Sequence, residues 1–248
     1  MYHSATMNTW RFLDTGPNRG AFNMALDEKL LAQAAAGEAM PVLRFYTWDP
    51  PALSLGRFQK IETDVNTGSC RRHGMDVVRR VTGGRAVLHN HELTYSVVAR
   101  TDDPLFPGNV LGTYKVIAAG LLAGLGNLGI HAEMVSRSGK HAHLVKKNGK
   151  DPACFSSPSW YEILVNGKKI IGSAQRRIPG AFLQHGSILI AYDPVLEASV
   201  ISGSGAGNAV TSIQEALGRA VPLEDVKQAF LKGFSTALGV IFSKRDVL

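Results

Sequence analysis

Apolar residues recur along this chain at two spacings, and the changes between them mark out the elements. Leu26, Leu30 and Ala34 lie four residues apart behind Asn23, which predicts a helix over 24–36 with Asn23 as its cap. Residues 42–48 are β-branched and aromatic and stop at Pro50-Pro51, which predicts a strand. Residues 62–73 read as a short helix closed by Gly74. Residues 76–81 and 93–100 read as strands flanking a glycine turn, and 114–125 as the next helix.

From residue 161 the period shortens. Residues 161–165 alternate weakly and end at Asn166-Gly167, the strongest short hairpin signal, with 168–173 as the returning strand. Pro179-Gly180 marks another turn, and 187–192 a further strand. Leu223 to Leu238 sets Val226, Phe230, Phe234 and Leu238 on one face, an amphipathic helix. The expected class is α+β: mixed, largely antiparallel sheets flanked by helices. No charge run or proline-rich linker divides the chain, so 1–248 reads as one domain, with terminal helices from about residue 211 packed on it. The glycine- and serine-rich stretch 202–208 reads as a surface loop.

Composition narrows the class. With 248 residues, 45% of them hydrophobic, the chain can bury a substantial core. The first ten residues lack the apolar segment of an export signal. The apolar stretch 116–130 is shorter than the ~20 residues that span a bilayer. Two cysteines, Cys70 and Cys154, cannot build a disulfide framework, so a soluble cytoplasmic protein is expected. The formal charge of +7 calls for an anionic partner: nucleic acid, a phosphate-bearing cofactor or an acidic protein. No zinc-finger spacing or RNP aromatic motif accompanies it, and composition does not choose among the three.

Three clusters carry candidate chemistry. In the string 76–89, Arg79 and Arg80 point to opposite faces of a strand, so one of them reaches a site beside the turn. Gly83-Gly84 can adopt positive φ and offer backbone N–H groups to a carbonyl or phosphate. The second cluster is Cys154, in a proline- and serine-bearing loop just before a strand, where reactive side chains are often presented. Cys70, on its short helix, reads instead as a small core residue.

The third cluster is Lys169, beside the Asn166-Gly167 turn. A two-residue loop pairs Val165 with Lys168 and Leu164 with Lys169. The strand back to Trp160 covers roughly 13 Å, and residues 154–159 can retrace about 20 Å, so Cys154 reaches Lys169. A neighbouring ammonium lowers a thiol pKa from ~8.5 toward neutrality and supplies the nucleophilic thiolate. His185 is an alternative base. His141 and His143 form a His-x-His pair without a third ligand among lysines, so no metal is expected. Residues 137–150 read instead as a basic loop that docks an acidic partner.

The chain resembles the biotin/lipoate protein ligase superfamily, and within it the LipM-type octanoyltransferases. The resemblance rests on the strings 10–16, 23–28 and 43–48, on Arg79-Arg80 with Gly83-Gly84-Arg85-Ala86-Val87, on 92–97 and on Gln184-His185-Gly186-Ser187. Residues 154–162 match the transferases' Cys-Phe-x-x-Pro-Ser-x-Tyr-Glu pattern. Arg85 stands where many ligases carry a third glycine, and no accessory C-terminal domain is expected. The resemblance implies a catalytic domain related to class II synthetase cores, with Cys154 and Lys169 as catalytic residues. It implies a substrate site built from Arg80, Gly83, Gly84, Arg85, Ala86, Val87, His89, Gly172, Ser173, Gln184, His185 and Gly186.

The implied reaction moves an octanoyl group from acyl carrier protein through a cysteine thioester to a lysine of a lipoyl domain or the glycine-cleavage H protein. It needs no cofactor, because the octanoyl-phosphopantetheine arrives on the carrier. Two alternatives stand beside it. An ATP-dependent lipoate ligase would need ATP and Mg²⁺ and no thiol. A non-catalytic carrier-protein or nucleic-acid binding module would form no covalent adduct. Neither a membrane nor nucleic acid is the expected partner.

Overall fold

The computed structural model describes residues 8–37, 40–135, 162–203 and 209–243. The first half comprises β1 (Asn8–Asn18), α1 (Gly20–Ala35), β2 (Val42–Trp48), β3 (Ala52–Leu55), α2 (Ile61–Asp64), α3 (Thr67–Arg72), β4 (Asp76–Arg79), β5 (Val87–His89) and β6 (Glu92–Arg100). Next come α4 (Val110–Asn127), β7 (Glu133–Met134), β8 (Ile163–Val165), β9 (Lys168–Ile178) and β10 (Ala181–Leu189). The last elements are α5 (Pro194–Val200), α6 (Ile213–Leu217), α7 (Leu223–Leu238) and β11 (Val240–Ser243).

Eight strands form one sheet in the order β11-β1-β2-β6-β10-β9-β8-β7, and β4-β3-β5 form a second. In the large sheet β1 pairs parallel with both β11 and β2, while the pairs from β2 onward are antiparallel. The expected α+β class, mixed and largely antiparallel, is what forms. Helices cover both faces. Ile117 and Leu121 of α4 with Phe230 and Phe234 of α7 close over Phe45, Tyr95 and Phe182. On the other face Leu26, Leu30 and Leu31 of α1 pack on Val42, Val98 and Leu183.

The helix pair α4 and α7 packs closely because glycines line the crossing. A Cβ on Gly120 would lie 2.5 Å from the Phe234 ring, and one on Gly124 2.4 Å from the Phe230 ring. From the opposite side, a Cβ on Gly233 would meet the Gly124 backbone at 2.4 Å. At 18 residues and mean hydropathy 1.2, α4 is longer than the sequence suggested, and long and apolar enough by composition to cross a membrane. Its glycine face receives α7 instead.

Several sequence expectations are corrected. Helix α1 starts at Gly20, and Asn23 is no cap. Its buried amide donates to Asn18 O and Thr47 O and accepts from Arg44. The helix expected over 62–73 is two, because Val65 turns extended (φ −128°) to bridge Ile201, and Asn66 caps the second. The strands around Gly83-Gly84 are not a hairpin: β4 pairs β3 in the small sheet, whereas β6 lies in the large one. Strand β10 begins at Ala181, six residues before the expected Ser187, which puts His185 within it. The helices do not end the chain, since β11 follows α7 and pairs with β1. Part of the stretch 202–208 falls outside the described residues.

Candidate active site

A cavity of about 160 Å³ opens where the small sheet abuts α1, β6, β9 and β10. Of the expected site residues, Arg80, Gly84, Arg85, Val87, His89, Gly172, Ser173, His185 and Gly186 line it. Three others are not part of the lining. The Gly83 carbonyl accepts from Arg80, Ala86 belongs to the core of the small sheet, and Gln184 donates to the Tyr95 hydroxyl. Cys154 lies outside the described residues, as do His141, His143 and the basic loop 137–150.

Lys169 is fully buried, and its placement follows from the turn beside it. Asn166 and Gly167 both take positive φ, 50° and 78°, and pair Val165 with Lys168 and Leu164 with Lys169 as the spacing required. Adjacent strand residues face opposite ways. Lys168 therefore reaches solvent and Glu215, whereas Lys169 points inward to the carboxylate of Glu162. A second chain segment clamps the Lys169 backbone: its N–H donates to Ala209 O and its carbonyl accepts from Thr211 N–H. Glu162 lines the cavity, so the ion pair sits in its wall. Sequence reasoning gave Glu162 no role, although it closes the motif that begins at Cys154.

A buried polar network braces the opposite wall. Asp27 accepts from Arg44 at 2.8 Å and from the Tyr46 hydroxyl at 3.0 Å, and it faces His185 Nδ1 at 3.0 Å. Burial opposes its ionisation, but the hydrogen bond from His185 and the Arg44 charge outweigh that and hold its pKa below the usual value. Burial, and then the Asp27 charge, push the Tyr46 hydroxyl well above its ordinary range, so it stays a donor. His185 Nε2 meets the Thr82 hydroxyl at 2.7 Å. Both ring nitrogens are thus committed to protein partners, which suits a residue that fixes the wall better than a general base.

His89 is held in a similar way. Its ring stacks on Trp48 with centroids 4.0 Å apart, Nε2 meets the Ser54 hydroxyl at 2.8 Å, and Nδ1 faces Glu92 at 3.3 Å. Burial outweighs the Glu92 contact and lowers its pKa, so the ring is neutral at pH 7. Glu92 also accepts from Thr94 and Ser187, and Thr94 accepts from the Trp48 indole. Sequence reasoning missed Asp27, Arg44, Tyr46 and Glu92 as functional positions. A signal was there: each is a charged or hydroxylated residue in a stretch otherwise apolar on its buried phase.

Arg79 and Arg80 separate as expected. Arg79 is exposed and bonds the carbonyls of Gly56, Arg57 and Gln59. Arg80 is buried and donates to Ser54 O and Oγ, Gly83 O and Arg85 O, so it shapes the glycine loop. Gly84 takes φ +93°, and its carbonyl packs where a Cβ on Gly56 would come within 2.0 Å. Across the cavity a Cβ on Gly186 would meet Gly172 O at 2.5 Å and the Tyr95 ring at 2.7 Å. Burial, opposed by hydrogen bonds from Gln184 and Ser173, pushes the Tyr95 pKa up to about 12. Among the described residues, the guanidinium and carboxylate groups that line the cavity are those of Arg80, Arg85 and Glu162, the last paired with Lys169. The guanidinium groups suit such a site to an anion.

Residues 19–235 match the lipoyl protein ligase A/B catalytic domain. Octanoyltransferase LipM of Brevibacillus brevis is 44% identical over 94% of this chain and 88% of its own. Octanoyltransferase LipM of Bacillus subtilis is 40% identical over 94% of this chain and 87% of its own. Among solved structures, the putative lipoate protein ligase Ta0514 of T. acidophilum, with bound lipoic acid, superposes with a TM-score of 0.76. That match covers 98% of this chain and 90% of the other at 24% identity, and shows the shared fold.

Proposed function

The chain belongs to the lipoyl protein ligase A/B catalytic domain family, and we propose that it acts there as an octanoyltransferase of protein lipoylation. Two observations support this reading: 40–44% identity to octanoyltransferases over most of the chain, and the buried Lys169–Glu162 pair. The pair carries the chemistry, because Glu162 ends the nine-residue motif that Cys154 begins.

In the first step the Cys154 thiolate attacks the thioester carbonyl of an octanoyl group carried on the phosphopantetheine of acyl carrier protein. A new S–C bond forms as the carrier's S–C bond breaks, and the carrier leaves as a thiolate that takes its proton from solvent. Lys169 holds the thiolate charge, and backbone N–H groups near Gly83-Gly84 or Gly172-Ser173 receive the oxyanion. In the second step a lysine amine of a lipoyl domain or glycine-cleavage H protein attacks the acyl-enzyme. The amide forms, the thiolate returns, and the amine's proton passes through the Lys169 region to solvent. One thioester replaces another, so the reaction needs neither ATP nor Mg²⁺, and the enzyme works in the cytoplasm.

The deciding experiment is acyl transfer from octanoyl-acyl carrier protein with and without ATP, followed by mass spectrometry. The expected result is an ATP-independent, hydroxylamine-labile octanoyl adduct that Cys154→Ala lacks. Transfer that requires ATP and free lipoate, and survives Cys154→Ala, would identify a ligase instead.

A further inference from the structure

Outside the cavity, a groove of about 540 Å³ runs between α1 and the loop that precedes α2. Four arginines line it, Arg57, Arg79, Arg80 and Arg176, against one carboxylate, Glu28. Arg80 lines the inner cavity as well, so groove and cavity share that residue. The rim is hydrogen-bonded. Arg79 gathers the carbonyls of Gly56, Arg57 and Gln59, and the Gln59 side chain accepts from Gly56 N–H and donates to Asp64. That hydrogen-bonded loop holds Phe58 84% exposed beside the Arg57 guanidinium. An exposed aromatic next to arginines, on a braced loop, is the composition of a binding anchor rather than of an ordinary surface.

We propose that this groove docks the acyl donor: an acidic carrier protein whose prosthetic arm passes its phosphate over Arg79 and Arg176 on the way to the cavity. The inference rests on the octanoyltransferase reading and adds the surface on which the donor docks. Charge decides which partner uses it. The donor's arm carries a phosphodiester, an anion that a guanidinium cluster binds. The acceptor must deliver a lysine, whose ammonium the same cluster repels. The two substrates therefore approach by different routes, with Phe58 and Arg57 contacting the carrier's own surface at the groove mouth.

The test compares three octanoyl donors: the carrier protein, phosphopantetheine and pantetheine. Arg57→Glu with Phe58→Ala is expected to raise KM for the octanoyl-carrier about ten-fold with kcat little changed. The same variant should use octanoyl-pantetheine, which has neither carrier nor phosphate, as the wild type does. Arg176→Glu should raise KM for octanoyl-phosphopantetheine but not for octanoyl-pantetheine. An unchanged carrier KM, or a KM raised for the acceptor domain instead, overturns the proposal. If the wild type transfers octanoyl from none of the three donors, the transferase reading itself falls.

Discussion

Lys169 and Glu162 form an ion pair that is almost entirely removed from water, set in the wall of the cavity by a two-residue turn. Breaking such a pair leaves one charge stranded, whereas replacing both halves with apolar groups of similar shape is often neutral. Glu162→Gln is therefore expected to cost about 3–5 kcal/mol of stability, read by urea unfolding. The double variant Lys169→Met, Glu162→Leu should recover most of that and still form no octanoyl adduct. A double variant as unstable as the single would show that the pair is not what the site loses.

His185 faces Asp27 on one side and Thr82 on the other. With both nitrogens engaged, its part is to hold the wall. His185→Gln should lower thermal stability yet leave the pH profile of adduct formation in shape. Loss of a limb of that profile would make the imidazole a base after all.

His89 gives stability a pH dependence. Its folded pKa lies below the ordinary 6.5 because burial disfavours the charged ring. Between the folded and unfolded values the unfolded chain binds the extra proton, so stability rises with pH there. Its contribution is complete above pH 6.5 and is lost as pH falls through that window. Urea midpoints for the wild type should decline from pH 7 to 5 more steeply than those for His89→Gln. Parallel curves would remove His89 as the source.

The helix crossing distinguishes two glycines two residues apart in α4. Gly124→Ala drives a methyl into Phe230 and should cost about 1–3 kcal/mol. A Cβ on Gly126 meets nothing within 4 Å, so Gly126→Ala should stabilise by about 0.5–1 kcal/mol through helix propensity. Equal effects in thermal melts would contradict the packing described.

Much of this architecture was legible because its signals are local. The Asn166-Gly167 turn specified its own pairing, and α7 runs from Leu223 to Leu238 as its apolar stripe required. What stayed hidden depends on distant partners. Asn23 looks like a cap until Arg44, 21 residues on, claims its side chain. The strand at 76–79 looks like half of a hairpin until β3 pairs with it. Val65 breaks a helix only because Ile201 waits beside it. The candidate site divided likewise: glycine loops and Lys169 carry local marks, whereas Asp27, Arg44, Tyr46 and Glu92 come together only once α1, β2 and β6 meet.

The turn at Asn166 also bears on how this site can vary by descent. Lys168 and Lys169 are chemically identical neighbours, and only the phase of the hairpin makes one a solvated ornament and the other a buried cation. Lengthening that turn by one residue would exchange their places without altering a single reactive group. Drift in loop length, harmless at most hairpins, would here abolish the chemistry while every motif remained readable.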